Sequence, residues 1–194
     1  NNDFAGAVKF IFQPAEEGPP QGEKGGARLM VEEGVLENPK VDAIYGLHIN
    51  SATPLGQVRY KSKGIMAAAQ RFVIEVQGKQ AHGSEPWMAV DPILISAKII
   101  DGLQTIISRN SKLTKEGAVI TVGSIHSGIR FNIIPESARM VGTVRTLDED
   151  MKQLILRRMN ELVPQIAAAY GGSATVNISE TAALTYNDPA LTQT

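Results

Sequence analysis

Residues 5–62 alternate between near-continuous apolar runs and one amphipathic stretch. "AGAVKFIF" (5–12), "VDAIYGLHI" (41–49) and "PLGQVRYKS" (54–62) predict strands, and "GGARLMVEEGVL" (25–36), opened by two glycines, predicts a helix. Buried strands with an intervening helix imply an α/β layer. From about residue 63 the pattern changes. In "AAAQRFVIEVQG" (67–78), Phe72, Ile74 and Val76 take one face and Arg71, Val73 and Glu75 the other, as in a half-buried strand.

Asp91 and Pro92 then form an N-cap and first-turn pair, and Ile93, Ala97, Ile100, Leu103 and Ile107 predict one helical stripe. "AVITVGSIH" (118–126) and "SARMVGTVRT" (137–146) predict two strands. Thr146 with Glu149 has the spacing of a capping box. The helix it would open carries a stripe of Ile155, Met159, Leu162, Ile166 and Ala169, and ends at Gly171 and Gly172. Pro164 inside it is expected to kink it or end it early. "SATVNISE" (173–180) is the last predicted strand, and 181–194 reads as a strand-poor exit segment. The order βαββαβ over residues 70–180 predicts a ferredoxin-like unit: a four-stranded antiparallel sheet with both helices on one face.

Composition narrows the partners. The 194 residues carry a formal net charge of −1 and are 43% hydrophobic, enough for a real core. Basic and acidic residues are balanced without blocks of either sign, so nothing favours nucleic acid or a membrane surface, and no apolar run is long enough to span a bilayer. There is no cysteine, which excludes disulfides and thiolate metal sites within this sequence and leaves histidine and carboxylates as metal donors.

Candidate chemistry starts at "FIFQPAEEGPP" (10–20), where Glu16 and Glu17 stand side by side after an apolar run. Adjacent acids point in different directions, so one can hold a metal while the other takes a proton from water as general base. On its own the pair reads first as a solvated acidic turn. His48 sits near the end of a predicted central strand, where α/β sheets place ligands, although a lone core histidine is usually structural. Glu17 and His48 would supply two ligands, one short of the usual protein set for a catalytic metal. His82 follows the first strand of the βαββαβ unit in "GKQAHGSEPW", a position for an exposed imidazole or for an ordinary loop histidine. Asn132 and Arg145 add an amide and a guanidinium that could grip a carbonyl and a carboxylate; Arg145 equally suits a sheet-face ion pair.

Taken in order, "QPAEEG", "GLH", "GKQAH", "DPI", "FNIIP" and "GTVRT" closely resemble the M20 family of metallopeptidases and amidohydrolases, in the branch with hippurate hydrolase, N-acyl amino acid amidohydrolases and indole-acetyl amino acid hydrolases. The resemblance implies a zinc-peptidase-like α/β catalytic domain with an inserted ferredoxin-like lid and dimerisation domain. Residues 1–62 would be part of the first, 63–180 the lid, and 181–194 the return. It implies Glu16 as general base, and Glu17 and His48 as ligands of a centre of two divalent ions, zinc or else manganese or cobalt. His82 would be the lid histidine that reaches the partner subunit's site and steadies the oxyanion, with Asn132 and Arg145 as substrate-binding residues. The implied substrates are N-acyl amino acids, and the implied assembly a homodimer through the lid.

Further ligands of the family, in an upstream Cys-Gly-His-Asp stretch and a last histidine near the C-terminus, have no counterpart here. An incomplete ligand set and an internal piece of a longer enzyme are therefore expected, with the chain acting by itself as a non-catalytic dimerisation module as the alternative. A small-ligand regulatory domain of the same βαββαβ order would leave Glu16, Glu17 and His48 unexplained. The expected compartment is the cytoplasm, or the periplasm or exterior if a signal precedes the chain. Pro19 and Pro20 extend the loop after Glu17, which borders the implied site.

Overall fold

The computed structural model describes residues 5–20 and 22–193. The chain divides into two compact units, residues 1–57 and 58–194.

In the first unit the predicted helix forms as α1 (Gly26–Glu32), shorter than its 25–36 pattern. Gly34, at φ +80°, turns the chain out of the helix, and Lys9 Nζ donates to the carbonyls of Val35 at 2.6 Å and Asn38 at 2.9 Å just beyond it. The three strands expected at 5–12, 41–49 and 54–62 do not form: among the described residues up to 62 there is no strand. Phe10, Phe12, Leu47 and Ile49 are exposed. The apolar pattern marks segments suited to a sheet interior, but a strand exists only where a neighbour takes up its backbone N–H and C=O groups, and no described segment does so here.

The second unit runs β1 (Lys63–Met66), β2 (Ala68–Gln77), β3 (Ala81–His82), α2 (Pro92–Thr105), β4 (Ala118–Ser127), β5 (Ile133–Ile134), β6 (Ser137–Thr146), α3 (Glu149–Ala169), β7 (Ser173–Ala182) and β8 (Thr185–Asn187). Its main sheet is antiparallel in the order β4-β6-β2-β7, the ferredoxin-like arrangement expected from βαββαβ. The alternation read in β2 holds. Phe72, Ile74 and Val76 are buried under the helices, packed with Met140 and Val144, while Arg71 and Glu75 face out. Onto this face α2 packs Ile95, Ile99 and Leu103, and α3 packs Ile155, Met159, Val163 and Ala167. The opposite face of the sheet carries neither helix.

The helix details differ from the pattern in instructive ways. Asp91 does cap α2, accepting from the N–H groups of Ile93 at 2.8 Å and Leu94 at 3.2 Å. The buried stripe is Pro92, Ile95, Ser96, Ile99 and Leu103, with Ile93 and Ala97 exposed. Ser96 hides the stripe from an apolar pattern because its hydroxyl is buried by donating to the Pro92 carbonyl at 2.7 Å. α3 is capped by Asp148, which accepts from Met151 N–H at 3.0 Å, and not by Thr146. Thr146 ends β6, and its hydroxyl is buried without a hydrogen-bond partner among the described residues. The helix neither stops nor loses its packing at Pro164. That residue lies on the solvent side, while Met159, Val163 and Ala167 stay in the core.

Residues 181–194 hold more structure than expected. β7 continues to Ala182, and β8 pairs antiparallel with β1, Lys63 opposite Asn187. Asn187 Nδ2 also donates to the Lys61 carbonyl at 2.8 Å. The two ends of the second unit are thus tied together, although neither β1 nor β8 has the length to stand out in a hydropathy pattern. Among the described residues no helix is long and apolar enough to cross a membrane.

Candidate active site

Glu16 and Glu17 share one tight turn. Gly18 N–H donates to the Ala15 carbonyl at 3.1 Å, and Gly26 N–H to the Pro14 carbonyl at 2.9 Å, which fixes the turn at both ends. Ala15, directly before the pair, has φ +50°, a left-handed conformation that a residue with a Cβ adopts at a cost of about 1 kcal/mol or more. Both glutamates are exposed.

His48 lies in a separate segment of the same unit and is also exposed. Its Nδ1 is 2.6 Å from the Ile49 carbonyl. A carbonyl only accepts, so Nδ1 carries a proton, and in the neutral ring Nε2 then keeps the lone pair that a metal-binding imidazole requires. The donor types of Glu17 and His48 therefore suit a divalent cation. Among the described residues, however, no three side chains of histidine, cysteine, aspartate or glutamate come together, so these residues do not by themselves make a complete metal centre.

In the second unit the structure brings His82 and Asn132 together. β3 and β5 pair with Ala81 opposite Ile134 and His82 opposite Ile133, and Gly83 N–H donates to the Asn132 carbonyl at 2.8 Å. Asn132 Nδ2 then lies 3.5 Å from His82 Nε2. The other ring nitrogen is held by Ser84, whose hydroxyl is 2.7 Å and whose backbone N–H is 3.2 Å from Nδ1. Because a backbone N–H only donates, Nδ1 is the acceptor. The Asn132 amide nitrogen, likewise a donor, faces Nε2, so the two neighbours of the ring favour opposite tautomers. Ser84 was not legible as part of this arrangement; the one available signal is a short polar residue two positions after the histidine.

Arg145 is not part of that cluster. It lies opposite Ala69 near the end of β6, whereas Ser137 at the other end of the strand lies opposite Gln77, next to the segments that carry His82 and Asn132. Eight residues of strand at about 3.3 Å each separate the two ends by about 26 Å. No small substrate spans that distance. Among the described residues the Arg145 side chain makes no ion pair, unlike Arg139 on the same strand, which binds Glu75 at 2.8 Å.

Residues 62–171 match the family model described as the peptidase dimerisation domain, M20_dimer. The chain belongs to the M20 peptidase family. Among M20 relatives, it is 38% identical to an N-acetylcysteine deacetylase of Bacillus subtilis (strain 168), over 89% of this chain and 43% of that protein. It is 39% identical to thermostable carboxypeptidase 2 of Saccharolobus solfataricus, over 99% of this chain and 48% of that protein. The crystal structure of the Bacillus subtilis YxeP protein, described as a dinuclear metal-binding peptidase of the M20 family, superposes with a TM-score of 0.70 at 34% identity, over 93% of this chain and 42% of that one. The chain thus spans about half the length of the relatives it matches.

Proposed function

We propose that the whole protein to which these residues belong hydrolyses the amide bond of N-acyl amino acids or related small amides in a metal-dependent reaction. Membership of the M20 family and similarity to a deacetylase and a carboxypeptidase support amide hydrolysis as the reaction class. The observation that carries His82 into the chemistry is its pairing with Asn132. Ser84 engages Nδ1, and the exposed ring presents Nε2 beside the Asn132 amide.

In this reading Glu17 and His48 contribute two donors to a centre of two divalent ions, zinc or else manganese or cobalt. When bound, such ions polarise the amide carbonyl and acidify water. Glu16 takes the proton from the attacking water as it adds to the carbonyl carbon, and returns it to the amine as the C–N bond breaks. His82 Nε2–H donates to the oxygen that gains charge on the way to the tetrahedral intermediate, and Asn132 orients the carbonyl. Arg145 pairs with the free carboxylate of the amino acid. Residues 63–180 serve as the lid, with 1–62 and 181–194 belonging to a zinc-peptidase-like catalytic domain.

The separation of about 26 Å between Arg145 and the His82 end of the sheet favours a site shared between two copies of the chain, one giving the arginine and the other the histidine. The edge strand β4, with its outer hydrogen-bonding groups unpaired in the sheet, is a ready surface for such a homodimer.

Substituting Glu16→Gln in the whole protein tests the assignment. Bound metal and fold are expected to persist while kcat drops about 10²–10⁴-fold. Near-normal turnover would overturn the role of Glu16.

A further inference from the structure

The face of the sheet turned away from the helices is charged in an uneven way. At one end Arg139 is neutralised by Glu75 at 2.8 Å. Toward the other end stand Arg71 on β2 and Arg145 on β6, and neither has an ion pair or hydrogen bond within the described residues. Arg71 lies opposite Thr143, and Arg145 opposite Ala69, so the two arginines are diagonal neighbours on adjacent strands, a relationship in which long side chains reach one another.

Among the described residues no acid pairs with either of them. On the far side of β2, Arg71 faces Ser179, and Val73 faces Asn177. The nearest carboxylate of β7, Glu180, is committed to the helical side, where Lys152 Nζ donates to it at 2.9 Å. Both arginines line a shallow depression of about 450 Å³ whose remaining wall includes Thr121, Ser124 and Thr143. The Thr143 hydroxyl is used, donating to the Gln70 carbonyl at 3.0 Å, but the Thr121 and Ser124 hydroxyls make no hydrogen bond within the described residues. Two exposed like charges on neighbouring strands repel each other, and an anion held between them relieves that repulsion.

We infer that Arg71 and Arg145 form one two-guanidinium site on the open face of the sheet, which takes a ligand carrying two carboxylates. Resting on the reading of Arg145 as the residue that grips the substrate's free carboxylate, this narrows the substrate to N-acyl amino acids with an acidic side chain. Arg145 holds the α-carboxylate, and Arg71 the second one. A fork of N–H donors on each side suits two separate bidentate contacts, one to each carboxylate.

Binding to the 194-residue chain decides it, with N-acetyl-L-glutamate and N-acetyl-L-glutamine, its isostere with an uncharged side chain, as probes, followed by calorimetry and by the arginine Nε–H signals in NMR. The acidic probe is expected to bind about tenfold more tightly and to shift the signals of both arginines. Arg71→Gln is expected to erase that preference, Arg71→Lys to keep part of it, and Arg145→Gln to weaken both probes. Equal affinity for the two probes, binding of neither, a preference that survives Arg71→Gln, or an Arg145→Gln variant that binds both normally would each overturn the site. Hydrolysis of the same two compounds by the whole protein is measured in parallel. Absent turnover with the binding preference intact contradicts the hydrolase reading and leaves the two-arginine site standing.

Discussion

Asn132 Nδ2 lies 3.5 Å from His82 Nε2, while Ser84 engages the opposite nitrogen of the same ring through its hydroxyl and its backbone N–H. The imidazole is held by Ser84 on one side and faces the Asn132 amide on the other. This geometry arises from the two-residue ladder between β3 and β5, which sets His82 opposite Ile133, the residue after Asn132.

If His82 donates from Nε2 to the developing oxyanion, His82→Ala lowers kcat by about 10²–10³ in the whole protein with little change in KM, the signature of a contact made only in the transition state. Ser84→Ala, which keeps the backbone donor but removes the hydroxyl, lowers kcat less. Steady-state kinetics on an N-acyl amino acid check both. A His82→Ala variant with normal kcat would remove the histidine from the chemistry.

Gly142 faces Phe72 across the β2–β6 pair, and a Cβ at that glycine would overlap the Phe72 ring and the Thr121 carbonyl. Phe72 is fully buried, so it cannot swing away. Gly142→Ala is therefore expected to destabilise the second unit by about 1–3 kcal/mol through overpacking. In urea the midpoint should drop with the slope unchanged. A variant as stable as the parent would mean that the sheet relaxes around the added methyl group.

Burial alone would raise the Asp148 carboxyl, but Lys115 Nζ at 2.6 Å and the Met151 N–H outweigh it and hold the group below its ordinary value near 3.8. A depressed carboxyl contributes stability that is fully present above the ordinary value and is lost as pH falls through the lower folded one. Asp148→Ala is expected to cost about 1–2 kcal/mol at pH 7, through the lost α3 cap and its ion pair. Thermal unfolding should show the gap constant from about pH 5 to 8 and narrowing below about pH 4. A gap as large at pH 3 as at pH 7 would contradict the ionic contribution.

The ferredoxin-like unit was legible because each of its four strands is paired and half-buried within residues 68–182, so its period-two pattern and its partners lie in the same stretch. The apolar segments around Phe10 and Leu47 carry an equally strong strand pattern and form no ladder, because pairing depends on neighbours that a pattern does not contain. Buried Ser96 and Lys152 escaped for the opposite reason. One hides its hydroxyl on the Pro92 carbonyl, the other its charge between Glu149 and Glu180, so polar residues occupy positions that an apolar stripe assigns elsewhere. Of the candidate site, the residue types were readable but not their grouping. That His82 meets Asn132, and that Arg145 sits at the far end of β6, follows from strand register, which spacing alone does not fix.

The most direct measurement of a site shared between two chains mixes two inactive variants of the whole protein, Glu16→Gln and His82→Ala, after dissociating and reassociating the subunits. In a mixed dimer one of the two sites receives Glu16 from one chain and His82 from the other, so the mixture should recover about a quarter of the unsubstituted activity. A mixture no more active than its parents would contradict the shared site.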